Sequence, residues 1–221
     1  ESDPLWHTGR FQFHGNALAL YRTSGSDTQR VSVQGAWDMP HIFPNGVKTN
    51  VNASVRGDIY HISDALESDN LSFAGRNGTE GRFLPRLTLD ASWPLINSVG
   101  NWTQLVEPLV SIVVAKNGGN PETIPNEDSR SFDLDDSNLF SADRFSGLDR
   151  WEGGIRATYG AKWSLQGSGI QTEFLIGQSL RFDADAARFP EGTGLGGNFS
   201  DIVGRAAVNV LQQFEIGYRF R

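Results

Sequence analysis

The chain has 221 residues, 25 glycines, 11% aromatic residues, no cysteine and a formal net charge of −7. The acidic balance argues against a phosphate-neutralising nucleic-acid surface, and the lack of cysteine excludes a disulfide framework or a thiolate metal centre within this segment. A mean hydropathy of −0.36, with no apolar run near the roughly 20 residues of a membrane helix, excludes a polytopic helical membrane protein. A transmembrane β-barrel escapes such averages, because only every second residue faces lipid.

Taken in chain order, segments 10–22 and 28–38 read as strands, with short links at 23–27 and 39–46. No charged segment followed by an apolar one opens the chain, and Glu1-Ser2-Asp3-Pro4 reads as the middle of a longer protein. The next strand, 47–62, shows the clearest period of two. Val47, Thr49, Val51, Ala53, Val55, Gly57 and Ile59 form one face, against Lys48, Asn50, Asn52, Ser54, Arg56 and Asp58 on the other. A long link at 63–82 leads to a strand at 83–93, a short link at 94–101 to a strand at 102–116. A very long link, 117–150, precedes a strand at 151–166, where Ile155, Ala157, Tyr159, Ala161, Trp163 and Leu165 alternate with Arg156, Thr158, Gly160, Lys162, Ser164 and Gln166. Strands at 169–182, 200–210 and 213–221 follow, separated by a long link at 183–199 and a short one at 211–212. No stretch sustains a helical period.

The chain is therefore predicted to be all-β, an antiparallel transmembrane β-barrel represented by about nine strands of a larger barrel. Long and short links alternate through the second half, as they do when one barrel end faces the periplasm and the other faces outside. Trp37, Trp93, Trp102 and Trp163 fall near the short-turn end, as does Trp6 ahead of the first strand, and Trp151 opens a strand at the long-loop end. That is the pattern of two interfacial girdles. On this topology the polar face carries Lys48, Arg56, Asp58, Arg86, Asp90, Glu152, Arg156, Lys162, Glu215 and Arg219. These must point into the lumen, since a lipid-facing Arg or Lys at mid-depth costs about 2–4 kcal/mol. A lumen of both charge signs, rich in hydroxyls, suits a wet conduit for a large polar solute without naming the solute.

Little in the chain points to catalysis. His7, His14, His41 and His61 are scattered with no metal-ligand spacing. Asn50, Asn52, His61 and Ser63 supply residue types for a membrane-embedded esterase but no supporting pattern. The glycines of 192–197 precede neither a Lys-Ser/Thr pair nor a helix, and read as loop. No cofactor and no metal site is expected. The segment 117–150 stands apart, because its recurring Phe132, Leu134, Leu139, Phe140, Phe145 and Leu148 argue against disorder. Such a loop can fold inward over the lumen. Its carboxylates suit either solvent or a hard divalent cation, though their spacing is not that of a Ca²⁺ loop.

Asn126-Glu127-Asp128-Ser129, then Asp135-Asp136-Ser137-Asn138-Leu139-Phe140, then Arg144-Phe145-Ser146-Gly147-Leu148-Asp149-Arg150-Trp151-Glu152-Gly153-Gly154 resemble the signature loop of the LptD family of lipopolysaccharide-assembly barrels. Leu105-Val106-Glu107-Pro108 resembles the strand leading into that loop. Gly177-Gln178-Ser179-Leu180-Arg181-Phe182, Ser200-Asp201-Ile202-Val203-Gly204-Arg205 and Tyr218-Arg219-Phe220-Arg221 resemble later family strands in the same order. The form is similar to that of alphaproteobacterial members. The resemblance is carried by residues 83–221, and by strand pattern alone before that.

The resemblance implies an outer-membrane barrel that passes lipopolysaccharide to the outer leaflet, without a catalytic centre. It also implies an LptE-like lipoprotein plug, an LptA-like periplasmic bridge protein and contact with outer-membrane lipids. A periplasmic jelly-roll domain and the rest of the barrel are expected outside this segment, as is the lateral seam. Asn126, Glu127, Asp128, Ser129, Asp135, Asp136, Asn138, Arg144, Gly147, Asp149, Arg150, Trp151 and Glu152 are the expected luminal-loop residues. Asp149 and Arg150 are expected to pair with wall or loop partners. A porin-like or substrate-specific channel is the alternative, and a soluble secreted β-sandwich or adhesin module is a third reading.

Overall fold

The computed structural model describes residues 9–23, 25–64, 77–130, 132–183, 189–190, 192–211 and 213–221. The placements expected for Trp6 and His7 lie outside these residues. Among the described residues ten strands form one antiparallel sheet: β1 (Arg10–Leu20), β2 (Asp27–Ile42), β3 (Lys48–Ser63), β4 (Gly78–Ser92), β5 (Leu95–Val99), β6 (Trp102–Ala115), β7 (Gly154–Gly167), β8 (Ile170–Arg181), β9 (Val203–Val210) and β10 (Phe214–Phe220). The order is sequential from β1 to β4, then β6 to β10, with β5 paired only to β6.

The register explains β5. Ser92 of β4 faces Leu109 of β6, and Leu95 of β5 faces Val106, so β4 and β5 share one register against the same partner. They are one long strand interrupted at Trp93–Pro94, where proline lacks the N–H a ladder needs. Trp93 still donates its backbone N–H to the Pro108 carbonyl at 3.2 Å. The ten segments thus trace the expected nine strand lines, with the hairpin turn at Gly100–Asn101 instead of an open link at 94–101. The tight β7–β8 turn uses positive φ at both Ser168 (49°) and Gly169 (79°), the geometry that matches strand twist in a two-residue hairpin.

The strand ends that flank the links 21–26, 64–77, 116–153 and 182–202 lie at one end of the sheet, and those that flank 43–47, 100–101, 168–169 and 211–213 at the other. The segregation expected for the second half holds along the whole meander, and the 116–153 loop is folded back over one face.

The two faces have opposite chemistry. Val31, Val33, Val55, Ile59, Phe83, Leu87, Ile112, Val114 and Ile155 are exposed on the outer one. Arg30, Ser32, Arg56, Asp58, Arg82, Thr88, Ser111, Arg156, Thr158, Ser179 and Arg181 are buried on the inner one. Water-soluble folds do the reverse, so the sheet has the polarity of a membrane wall. Of the exposed aromatics, Phe11, Phe13, Phe43, Trp93 and Phe214 lie towards the turn end and Tyr21, Phe83 and Phe182 towards the loop end, with Tyr159 and Tyr218 between them. Trp151 departs from the expected girdle. It is 3% exposed and turned inward against Leu84, Val113 and Ala115, because the loop brings its own apolar core to the inner face.

Candidate functional site

The candidate site is the contact between the 116–153 loop and the inner face, built from arginines on the strands and carboxylates on the loop. At its centre is Asp149, fully buried. Its carboxylate accepts from Arg30 Nη1 at 2.6 Å and from the Tyr60 hydroxyl at 3.0 Å. It also accepts the backbone N–H groups of Glu127 at 2.6 Å and Asp128 at 3.1 Å. One side chain therefore ties β2, β3 and both limbs of the loop together.

Asp128 completes the same knot. It accepts from Arg30 at 2.8 Å and from the backbone N–H groups of Leu148 and Asp149, both at 3.0 Å to Oδ1. Burial pushes its carboxyl up, but those two N–H bonds and Arg30 outweigh it and hold Asp128 well below the usual carboxylate range. Gly147 is required here, since a Cβ would stand 2.1 Å from Asp128 Oδ1. Ser129 donates to Asp128 Oδ1 at 3.0 Å, and its backbone N–H is received by the Asn126 side chain at 2.9 Å. Glu127 takes both ends of the Arg22 guanidinium, at 2.9 and 2.6 Å, reaching the link between β1 and β2.

A second knot lies beside it. Arg82 donates to Asp58 at 2.7 Å and to the carbonyls of Leu148, Asp149 and Gly119. Arg56 pairs with Asp58 at 3.2 Å and donates to Leu148 O at 3.0 Å. Arg86 pairs with Asp143 at 2.5 Å and stands 3.9 Å from the Trp151 ring centroid, a cation–π contact sheltered from water. Burial pushes the Asp143 carboxyl up, against the opposing pull of Arg86. Trp151 is anchored by its indole N–H on Lys116 O at 2.9 Å and by reciprocal bonds to the Asn120 amide. Arg144 and Glu152 pair where neither side chain is exposed, and Arg156 of β7 stands 3.4 Å from the same carboxylate. Burial pushes Glu152 up, but Arg156 and Arg144 outweigh it and hold it below its ordinary value.

The lower part of the loop is seated by shape. Gly160 of β7 and Gly177 of β8 are direct cross-strand partners. A Cβ at Gly177 would meet Leu139 at 2.6 Å, and one at Gly160 would meet Phe140 at 3.2 Å. The two glycines form a notch that receives the Leu139–Phe140 corner. Asp135 caps that corner, accepting the backbone N–H groups of Ser137 and Asn138, while Asn138 returns a bond to Asp135 N–H at 3.0 Å. Leu134, Leu139, Leu195 and Val203 form a small core that joins this loop to the 182–202 link.

The sequence-predicted residues thus converge, with exceptions. Asp136 stands apart from both knots and pairs with Arg219 on the inner face of β10 at 3.0 Å. Arg150 meets backbone carbonyls, Ile124 O at 3.1 Å among them, rather than a carboxylate. Lys48, Lys162 and Glu215 lie on the inner face below the loop, and Glu215 pairs with Arg205 at 3.0 Å. The esterase set comes apart, because the register places Asn50 and Asn52 on the inner face and His61 on the outer one. Glu127, Asp128, Asp133, Asp136, Asp143, Asp149 and Glu152 each face a guanidinium group. Sequence reasoning missed Arg22, Arg30, Tyr60, Arg82, Arg181, Gly160 and Gly177. Arg30 was accessible to it, since Arg30, Ser32 and Gln34 alternate with Val31 and Val33.

Over residues 1–221 the chain matches the sequence profile of the family described as LPS transport system D, LptD. The chain belongs to the LptD family. The match includes the first eighty residues, where only strand pattern pointed the same way. A comparison with curated proteins finds no match. LptD proteins are outer-membrane proteins of Gram-negative bacteria that act in lipopolysaccharide transport and assembly. The single antiparallel sheet fits a segment of the LptD barrel wall.

Proposed function

We propose that this chain forms part of an outer-membrane conduit that delivers lipopolysaccharide to the outer leaflet, with the 116–153 loop as its luminal closure. The observation that carries this reading is the arginine–carboxylate contact between loop and wall, which fixes a large loop inside an apolar-outside sheet. An LptE-like lipoprotein plug and an LptA-like periplasmic bridge protein are the proposed partners, with outer-membrane lipids around the wall. The residues of the two knots hold the closure, and Lys48, Lys162, Glu215 and Arg219 belong to the wall that the polar part of the substrate passes.

Photo-crosslinking in the full-length protein tests this. Lys162 and Glu215 are suitable positions, whereas Arg56 lies beneath the loop at 4% exposure. Lipopolysaccharide adducts at Lys162 and Glu215 that depend on ATP supply at the inner membrane are expected. A folded barrel that gives no adducts, and shows a stable open pore in single-channel recordings, would instead be a porin-like channel.

A further inference from the structure

Below the docked loop, the inner face holds a hollow of about 560 Å³, within the roughly 300–1,000 Å³ typical of small-ligand sites. Its lining includes Lys48, Asn50, Asp90, Ser92 and Leu109 from β3, β4 and β6, and Phe140 from the loop. Asn50 and Asp90 are direct cross-strand partners. The Asn50 amide nitrogen turns to Asp38 at 3.5 Å, which leaves its carbonyl oxygen buried with no partner. Asp38 is already supplied by Gln12 at 3.0 Å and Asn52 at 2.8 Å. Next to these acceptors, Thr88 is 3% exposed with a hydroxyl that has no partner, while the buried Ser111 hydroxyl donates to the Asp90 carboxylate. Ser111 faces Asp90 in the register, and Thr88 faces Asn52.

A buried acceptor left unpaired costs stability, so this wall calls for a ligand that brings hydrogen-bond donors. Those donors must come on a body that also covers apolar surface, because Leu109 and the half-buried Phe140 ring flank the same acceptors. A sugar ring meets both demands, with hydroxyls around its rim and C–H groups on its faces. We infer that this hollow is a saccharide subsite, binding a hexose unit of the glycolipid through Asn50 and Asp90 with Phe140 against the ring. The inference rests on the conduit reading above and specifies where the carbohydrate is held.

The test uses purified full-length protein in detergent and, as probe, core oligosaccharide freed of its acyl chains and phosphates. Saturation-transfer NMR is expected to show sugar protons contacting the parent protein. The signal should fall at least fivefold in the double variant Asn50→Ala, Asp90→Asn, with heat-modifiable barrel mobility on gels confirming folding. No transfer to the parent, or equal transfer to the double variant, overturns the subsite. Terbium binding that depends on Asp90, without oligosaccharide binding, overturns it in favour of a cation site. The conduit reading is judged separately by the Lys162 and Glu215 adducts. If those persist while the oligosaccharide fails to bind, only the subsite falls.

Discussion

Replacing Asp149 by alanine should release the loop from the wall. The parent carboxylate is fully buried and receives Arg30, the Tyr60 hydroxyl and two backbone N–H groups. Breaking one side of a buried ion pair costs about 3–5 kcal/mol, because the remaining charge stays buried. Arg30 keeps Asp128 at 2.8 Å and Asn16 at 3.0 Å, which argues for the lower end of that range. The two stranded N–H groups would each add about 1–3 kcal/mol if independent, but they share one network and do not sum. At about 3 kcal/mol the undocked population rises roughly a hundredfold. Hydrogen exchange on the full-length barrel reads this directly at the amides of Glu127, Asp128 and Leu148. Exclusion of bulky antibiotics reports the same event in cells. Arg150→Ala should act in the same direction but more weakly, since its partners are carbonyls that water can serve. If the three amides of the Asp149→Ala protein exchange at the parental rate in a folded barrel, Asp149 does not hold the loop.

Acid should loosen the loop by a related route. Asp128 is held below the ordinary carboxylate value of about 3.9. Its contribution to docking is therefore complete above that value and disappears as pH falls towards the depressed one. Asp128→Asn should flatten the acid limb of loop protection measured by hydrogen exchange, and an unaltered pH profile would count against the assignment. Asp143 is shifted the other way, so its protonation favours the docked state and Asp143→Asn should steepen acid release. Gly177→Val drives a side chain into Leu139 and should cost about 1–3 kcal/mol of docking. Exchange should then rise around Leu139 and Phe140 while the Asp149 knot stays protected; uniform protection would remove the notch from the argument. Val55→Arg, on the outer face, should destabilise the folded barrel by about 2–4 kcal/mol in bilayer unfolding titrations. A neutral result there would mean that face does not meet lipid.

The inside and outside of this sheet were legible because period two is simple to read over long strands. Val47 to Ile59 assigned Val55 and Ile59 outward and Arg56 and Asp58 inward, as found. The same rule was silent where the inner face turns apolar. Tyr60, Ile62, Leu84 and Val113 are buried inward, and their partners are loop residues such as Ile124 and Trp151. Trp151 looked like a girdle residue because strand position alone cannot show that a loop folds back. The pairing of Arg30 with Asp149 joins residues 119 apart, a distance at which residue type carries no address. Gly160 and Gly177 looked like ordinary strand glycines until the register set them side by side.

The arginine wall also bears on how the molecule assembles. Arg30 and Arg82 lie on strands made before the loop, and Arg156 and Arg181 on strands made after it. The loop therefore cannot reach its final place until β2, β3, β4, β7 and β8 stand in register. Until then these guanidinium groups and the carboxylates of 127–152 must remain hydrated, since neither set can be buried alone. Docking would thus act as a late inspection of strand order, because a sheet with one strand slipped presents its cations to the wrong partners and leaves the loop undocked.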